Sequence, residues 1–246
     1  MRQDILFGDC LNLMHDIPDK SIDLILADLP YGTTKCSWDS VIPLEPLWTQ
    51  YKRIIKDHGA IVLTAQTPFD KVLGCSNLPM LRYEWIWEKT HPTGHLNAKK
   101  MPMKAHENIL VFYKNLPTYN PQKTYGHERK VSTAQHKRNS IQSPIYGKCD
   151  RYADYDSTER YPRSIQKFSS DKQKLNLHSA QKPLSLFTYI IKTYSDEGDI
   201  VLDNVGGSGT TAIGCLETGR QFIIMENDPK SFTTIQNRVS EWRITH

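Results

Sequence analysis

The sequence predicts an α/β fold: a doubly wound, mostly parallel sheet with helices on both faces, plus an irregular basic insertion. Three observations carry this. Short apolar runs alternate with amphipathic stretches up to Tyr113 and again from Pro183 onward. Several of those runs close on an acid and a turn, at Asp9, Asp28, Asp203 and Glu226. From Lys114 to about Leu177 the periodicity fails, and Lys and Arg far outnumber Asp and Glu. The result is a Rossmann-like core broken by a long polar segment.

The elements follow in order. Ile5-Leu6-Phe7 reads as a strand closing on Gly8-Asp9-Cys10, with Asp9 a candidate helix N-cap, and Leu11 to Ile17 as a helix stopped at Pro18. Ile22 to Ala27 is a buried strand. Leu44 to Ile55 is a helix with one apolar face, ended by Gly59, and Ala60 to Thr64 is a strand. Pro68 opens a helix at its first position with Thr67 as cap, and Tyr83–Trp87 and Asn108–Tyr113 are strands. Between them, His91 to Lys100 reads as a basic loop at a strand end. Its histidines, with His106, match no zinc spacing. Pro183 to Tyr194 is a helix, Asp199 to Leu202 a strand, Ala212 to Glu217 a helix, Phe222 to Met225 a strand, and Lys230 to about Arg243 a final helix.

Composition bounds the function. At 246 residues the chain can bury a full core, and a net charge of +4 permits a nucleic-acid partner without demanding one. The 5 cysteines (Cys10, Cys36, Cys75, Cys149, Cys215) form no C-x-x-C pair, which argues against a disulfide framework or zinc site and for a reducing cytosol. No apolar run approaches the roughly 20 residues of a membrane span, so a soluble, cytoplasmic protein is expected.

Two motifs carry chemistry. In Asp28-Leu29-Pro30-Tyr31, Pro30 stiffens the turn after a strand. The turn can present a carboxylate, the Leu29 carbonyl and an aromatic ring to one planar amino-bearing ligand, such as a nucleobase. Far downstream, a strand runs into Asp203-Asn204-Val205-Gly206-Gly207-Ser208-Gly209-Thr210-Thr211, then a helix, a strand and Glu226. That is the layout of an adenosine-cofactor site: glycines admit the ligand to backbone N–H groups, and the acid accepts from ribose hydroxyls. Neither G-x-G-x-x-G nor G-x-x-x-x-G-K is complete, so S-adenosylmethionine fits better than a dinucleotide or a triphosphate. The insertion interleaves cations with Tyr119, Tyr125, Tyr146, Tyr152, Tyr155 and Tyr161. It reads either as a solvated basic face or as a nucleic-acid contact region. The candidate DNA-contacting cations are Lys99 and Lys100 in the loop, and Arg129, Lys130, Lys137 and Arg138 in the insertion.

These residues resemble the amino-group DNA methyltransferases of permuted (beta-class) motif order. That family carries a D/S-P-P-Y tetrad, a target-recognition region, an H-x-x-Q-K-P box and a late D-P-F-x-G-S-G-T-T. Here Asp28-Leu29-Pro30-Tyr31, His178-Ser179-Ala180-Gln181-Lys182-Pro183 and Asp203 to Thr211 stand in that order, and the likeness spans nearly everything outside the insertion. It implies methyl transfer from S-adenosylmethionine to the N6 amino group of adenine in double-stranded DNA, with the N4 amino group of cytosine as the alternative. A non-catalytic DNA-binding protein is the rival outside that chemistry. The first tetrad residue, Asp28, favours adenine. Asp28, Leu29, Pro30 and Tyr31 would hold the target base. Asp9 and Cys10 would lie by the cofactor adenine and Glu226 by its ribose. Gly207, Gly209 and Thr210 would lie by its methionine part, with Asp28, Lys182, Asp203, Asn204, Val205 and Ser208 bordering the pocket. Residues 1–113 and 178–246 would form the catalytic domain and 114–177 the target-recognition insertion; a homodimer is compatible with the resemblance. The chain departs from the family at Leu29, in place of the first Pro, and at Asn204 and Val205, in place of Pro and Phe.

Overall fold

The computed structural model describes residues 2–32, 40–135, 153–169 and 181–246. The strands are β1 (Gln3–Phe7), β2 (Ile22–Ala27), β3 (Ile55–Ala65), β4 (Leu81–Thr93), β5 (Lys104–Phe112), β6 (Lys130–Ser132), β7 (Tyr155–Ser157), β8 (Ile165–Phe168), β9 (Ile200–Asp203) and β10 (Gln221–Glu226). The helices are α1 (Cys10–Leu13), α2 (Leu44–Ile54), α3 (Phe69–Ser76), α4 (Leu184–Tyr194), α5 (Thr210–Glu217) and α6 (Pro229–Thr245). The main sheet has 8 strands in the order β1-β10-β9-β2-β3-β5-β4-β8. Pairing is parallel from β1 to β3 and again between β4 and β8; only the β3–β5 and β5–β4 pairs are antiparallel.

Successive residues of each central strand enter opposite cores, which is why those strands are apolar throughout. Ile25, Ala27, Ile61, Leu63, Leu202 and Ile223 pack with Leu47, Tyr51 and Ile54 of α2 and Phe69 and Leu73 of α3. Leu24, Leu26, Val62, Val201, Phe222 and Ile224 pack with Leu186, Ile190 and Ile191 of α4, Ile213 of α5 and Ile235 of α6. The doubly wound α/β expectation is therefore met.

Several boundaries differ from the sequence expectation. The helix expected over Leu11 to Ile17 is one α-turn, α1, followed by a 3-10 turn at Met14–Asp16. Gly59 does not end α2, because the chain passes at Ile55 directly into β3. Gly59 sits beside β2 at a register shift in the parallel β2–β3 pair; a Cβ there would lie 2.8 Å from the Asp23 carbonyl and 2.7 Å from Ile55 Cδ1. Pro68 caps α3 instead of starting it, and Thr67 gives no side-chain cap. His91 to Thr93 belong to β4 and pair onward to Lys104, so the expected basic loop is the far end of a long hairpin.

The chain divides into two compact units, Met1–Asn120 with Ser164–His246, and Pro121–Arg163. The second is narrower than the expected 114–177 insertion because β8 joins the main sheet beside β4. Within that unit β6 and β7 pair antiparallel, Thr124 bridges to Arg160, and Lys123 pairs with Glu159 at 2.8 Å. No helix among the described residues is long and apolar enough to cross a membrane.

Candidate active site

The central strands deliver their functional residues to one edge. The parallel neighbours β1, β10, β9, β2 and β3 end at Phe7, Glu226, Asp203, Ala27 and Ala65, so Asp9, Glu226, Asp203, Asp28 and Thr64 all stand at the carboxyl ends. From β2 the chain winds outward to β3, and from β9 outward to β10. The β9–β2 pair is thus the switch point, where an open α/β sheet leaves a crevice.

Asp28 is the hub of the first cluster. Its Oδ1 accepts from the Tyr31 hydroxyl at 2.6 Å and from the Thr64 hydroxyl, and its Oδ2 accepts from Lys182 Nζ at 2.6 Å. Phe69 stacks on Tyr31, with ring centroids 5.4 Å apart, and the Lys182 ammonium lies 5.4 Å from the Tyr31 ring centre. Leu29 is buried in the core beneath the turn, so its main chain, and not its side chain, is what the turn can offer a ligand. Lys182 also lies 3.3 Å from Glu107 Oε2, and Lys89 lies 2.7 Å from Glu107 Oε1. Burial opposes the charge on Lys182, but Asp28 and Glu107 outweigh it and hold the ammonium well above the usual lysine range. Burial likewise opposes ionisation of Glu107, and Lys182 and Lys89 together pull its pKa down. Burial, then the Asp28 charge, raises the Tyr31 phenol and keeps it a neutral donor.

The second cluster surrounds the glycine turn. Glu226 Oε2 accepts from the Gly207 amide at 2.7 Å, and its Oε1 from the amides of Asn227 and Asp228 at 2.9 and 2.8 Å. A carboxylate has about four acceptor positions, so Glu226 is fixed in place and keeps capacity for a hydroxyl. Gly207 and Gly209 have φ of +53° and +78°, the left-handed region that favours glycine. A Cβ on Gly207 would meet nothing closer than 3.8 Å, which leaves an open approach to the turn, and α5 begins just beyond it. Ser208 and Thr210 hydroxyls are 3.2 Å apart. Asp203 is buried and braces the turn, accepting from the Val205 amide at 3.0 Å and the Thr211 hydroxyl at 2.5 Å. Burial lifts its pKa to about 7. Asn204 accepts from the Tyr51 hydroxyl at 2.5 Å and donates to Cys10 Sγ at 3.4 Å, joining the β9 turn to α1 and α2. Val205 is half-buried against the same core. Asp9 caps α1, accepting from the Asn12 amide at 3.1 Å.

The sequence reading missed Thr64, Phe69, Lys89 and Glu107. Thr64 had a signal, since it ends an apolar strand as the candidate acids do. The other candidates fall elsewhere. Lys99, Lys100 and Lys130 are exposed. Arg129 is exposed and paired through two nitrogens with Asp156, at 2.7 and 2.6 Å. Lys137, Arg138, Cys36 and His178 lie outside the described residues. Burial raises the Cys10 thiol, so it is no thiolate nucleophile.

The two clusters stand on a doubly wound α/β sheet, and solved structures share that fold. The M1.HpyAVI–SAM complex matches with a TM-score of 0.65 and 22% identity over 97% of this chain and 100% of that one. PvuII DNA methyltransferase (cytosine-N4-specific) matches with a TM-score of 0.68 and 16% identity over 100% and 90%. Among curated proteins, the DNA adenine methyltransferase YhdJ of Escherichia coli (strain K12) is 29% identical over 90% of this chain and 77% of its own. The family model described as DNA methylase, covering the N6 and N4 enzymes, matches residues 22–237. The chain belongs to that family of DNA methyltransferases.

Proposed function

We propose that the protein transfers a methyl group from S-adenosylmethionine to the N6 amino group of adenine in double-stranded DNA, after the base is flipped from the helix. The observation that supports this most is the neighbouring of the two clefts: Asp28 follows β2 and the glycine turn follows β9, its parallel partner. The cofactor supplies an electrophilic methyl on its sulfonium. Glu226 would accept from its ribose, Asp9 and Cys10 would flank its adenine, and the amides around Gly207 to Thr210 would hold its carboxylate.

An exocyclic amino group is a weak nucleophile because its lone pair is delocalised into the ring. Asp28 and the Leu29 carbonyl would each accept a hydrogen bond from one of its two N–H groups and favour a tetrahedral nitrogen whose lone pair faces the methyl group. As the N–C bond forms, the methyl–sulfonium C–S bond breaks and leaves a neutral thioether, and the proton lost from the nitrogen would pass to the Asp28 carboxylate. Catalysis is then alignment plus charge stabilisation. Tyr31, backed by Phe69, replaces the stacking the flipped base gives up.

DNA contact is assigned to two regions. Every residue from 90 to 106 is exposed, with Lys99, Lys100 and Lys104 and no acid among them. Since Asn108 pairs with Ala65, this hairpin extends past the same sheet edge as Asp28. The insertion, with Arg129, Lys130, Lys137 and Arg138, supplies sequence recognition. The test is methyl transfer to plasmid DNA from labelled cofactor: the wild type labels DNA and Asp28→Ala does not, while cofactor binding survives. Full activity in Asp28→Ala removes Asp28 from the mechanism.

A further inference from the structure

The acceptor carboxylate is occupied. Tyr31, Thr64 and Lys182 together donate three hydrogen bonds to Asp28, and the same ammonium lies over the ring on which a flipped base would stack. Asp28 Oδ2 keeps one acceptor position beside Lys182, and a target amino group taking it would crowd the ammonium, whose shift off Oδ2 opens that oxygen to the base. Lys182 is buried, so an ammonium displaced without a second partner would stand as an uncompensated buried charge.

A second partner is already present. Glu107 Oε2 lies 3.3 Å from Lys182 Nζ, is itself buried, and has no aligned hydrogen-bond donor among the described residues. Its other oxygen is anchored by Lys89, so the carboxylate holds its place while Lys182 swings on a flexible stem. Because Trp87 pairs with Glu107, β4 and β5 fix this geometry from strand residues.

We propose that Glu107 is a positioning residue for methyl transfer: it receives the Lys182 ammonium when the target amino group takes Asp28, so one lysine serves two carboxylates in turn. This rests on the methyltransferase reading above.

Steady-state methylation kinetics on four full-length proteins test it, each with its thermal midpoint recorded. Glu107→Gln keeps the side chain's volume and removes the charge; it lowers kcat at least about tenfold with the cofactor KM changed less than about twofold. Glu107→Asp restores the charge at a longer reach and loses between about two- and fivefold in kcat. Lys89→Met frees the Glu107 carboxylate from its anchor and loses stability, and its loss in kcat is smaller than that of Glu107→Gln, because the charge that receives Lys182 remains. A purely structural ion cluster would instead make Lys89→Met and Glu107→Gln fall together. Wild-type kcat in Glu107→Gln, or an equal loss in Lys89→Met, overturns the proposal. Where Glu107→Gln does not fold, Glu107→Asp with unchanged kcat does the same. A wild type that transfers no methyl defeats the underlying reading; an active wild type with an indifferent Glu107 defeats only this step.

Discussion

Asp28 and Lys182, 154 residues apart in the chain, are joined by a 2.6 Å hydrogen bond at the carboxyl edge of the sheet. Asp28→Ala removes the acceptor and leaves Lys182 on Glu107. Methyl transfer should fall by at least about 100-fold, the scale of losing an electrostatic partner in a transition state. Cofactor affinity, measured by titration calorimetry, should change by less than about threefold.

Asp203 gives a pH signature. Its folded pKa of about 7 lies above the usual carboxylate value of 3.8. The protonated form is therefore favoured by folding, and the associated stability is full below pH 3.8 and lost as pH rises toward 7. Asp203→Asn cannot ionise. Relative to wild type, the variant should gain up to about 4 kcal/mol between those limits. Denaturant unfolding of both proteins across that range checks it; parallel curves would contradict it.

The glycine turn separates packing from backbone conformation. A Cβ on Gly206 would lie 2.3 Å from Ile224 Cγ2 and 3.0 Å from Ile235 Cδ1. Gly206→Ala should cost about 1–3 kcal/mol by overpacking, read as a lower thermal midpoint. Gly207→Ala has open space but a φ of +53°, so its cost should be about 1–2 kcal/mol of backbone strain. Both should weaken cofactor binding by shifting the turn.

Excising residues 121–163, the second compact unit, should leave cofactor binding intact and reduce DNA affinity and sequence selectivity. Filter binding to specific and random duplexes measures this. Unchanged DNA binding would show that recognition lies elsewhere.

The acids at strand ends were legible in the sequence because a buried strand followed by an acid and a turn is a local pattern. So was the glycine turn. What was not legible depends on strand order. Lys89 and Lys182 both meet Glu107 because β5 inserts antiparallel between β3 and β4, which local periodicity does not encode. Lys182 was expected to border the cofactor pocket; what strand order adds is that its ammonium reaches Glu107 as well as Asp28. Gly59 was misread because glycine usually punctuates, whereas here it lies inside β3 and admits the close approach of the β2 backbone at Asp23.

The central claim is that an exocyclic amino nitrogen receives the methyl group. Incubating the protein with labelled S-adenosylmethionine and plasmid DNA, digesting to nucleosides and separating them identifies the methylated atom. The account predicts N6-methyladenine, with N4-methylcytosine as the outcome that keeps the mechanism and changes the base. Label on carbon 5 of cytosine, or none on DNA, would contradict it.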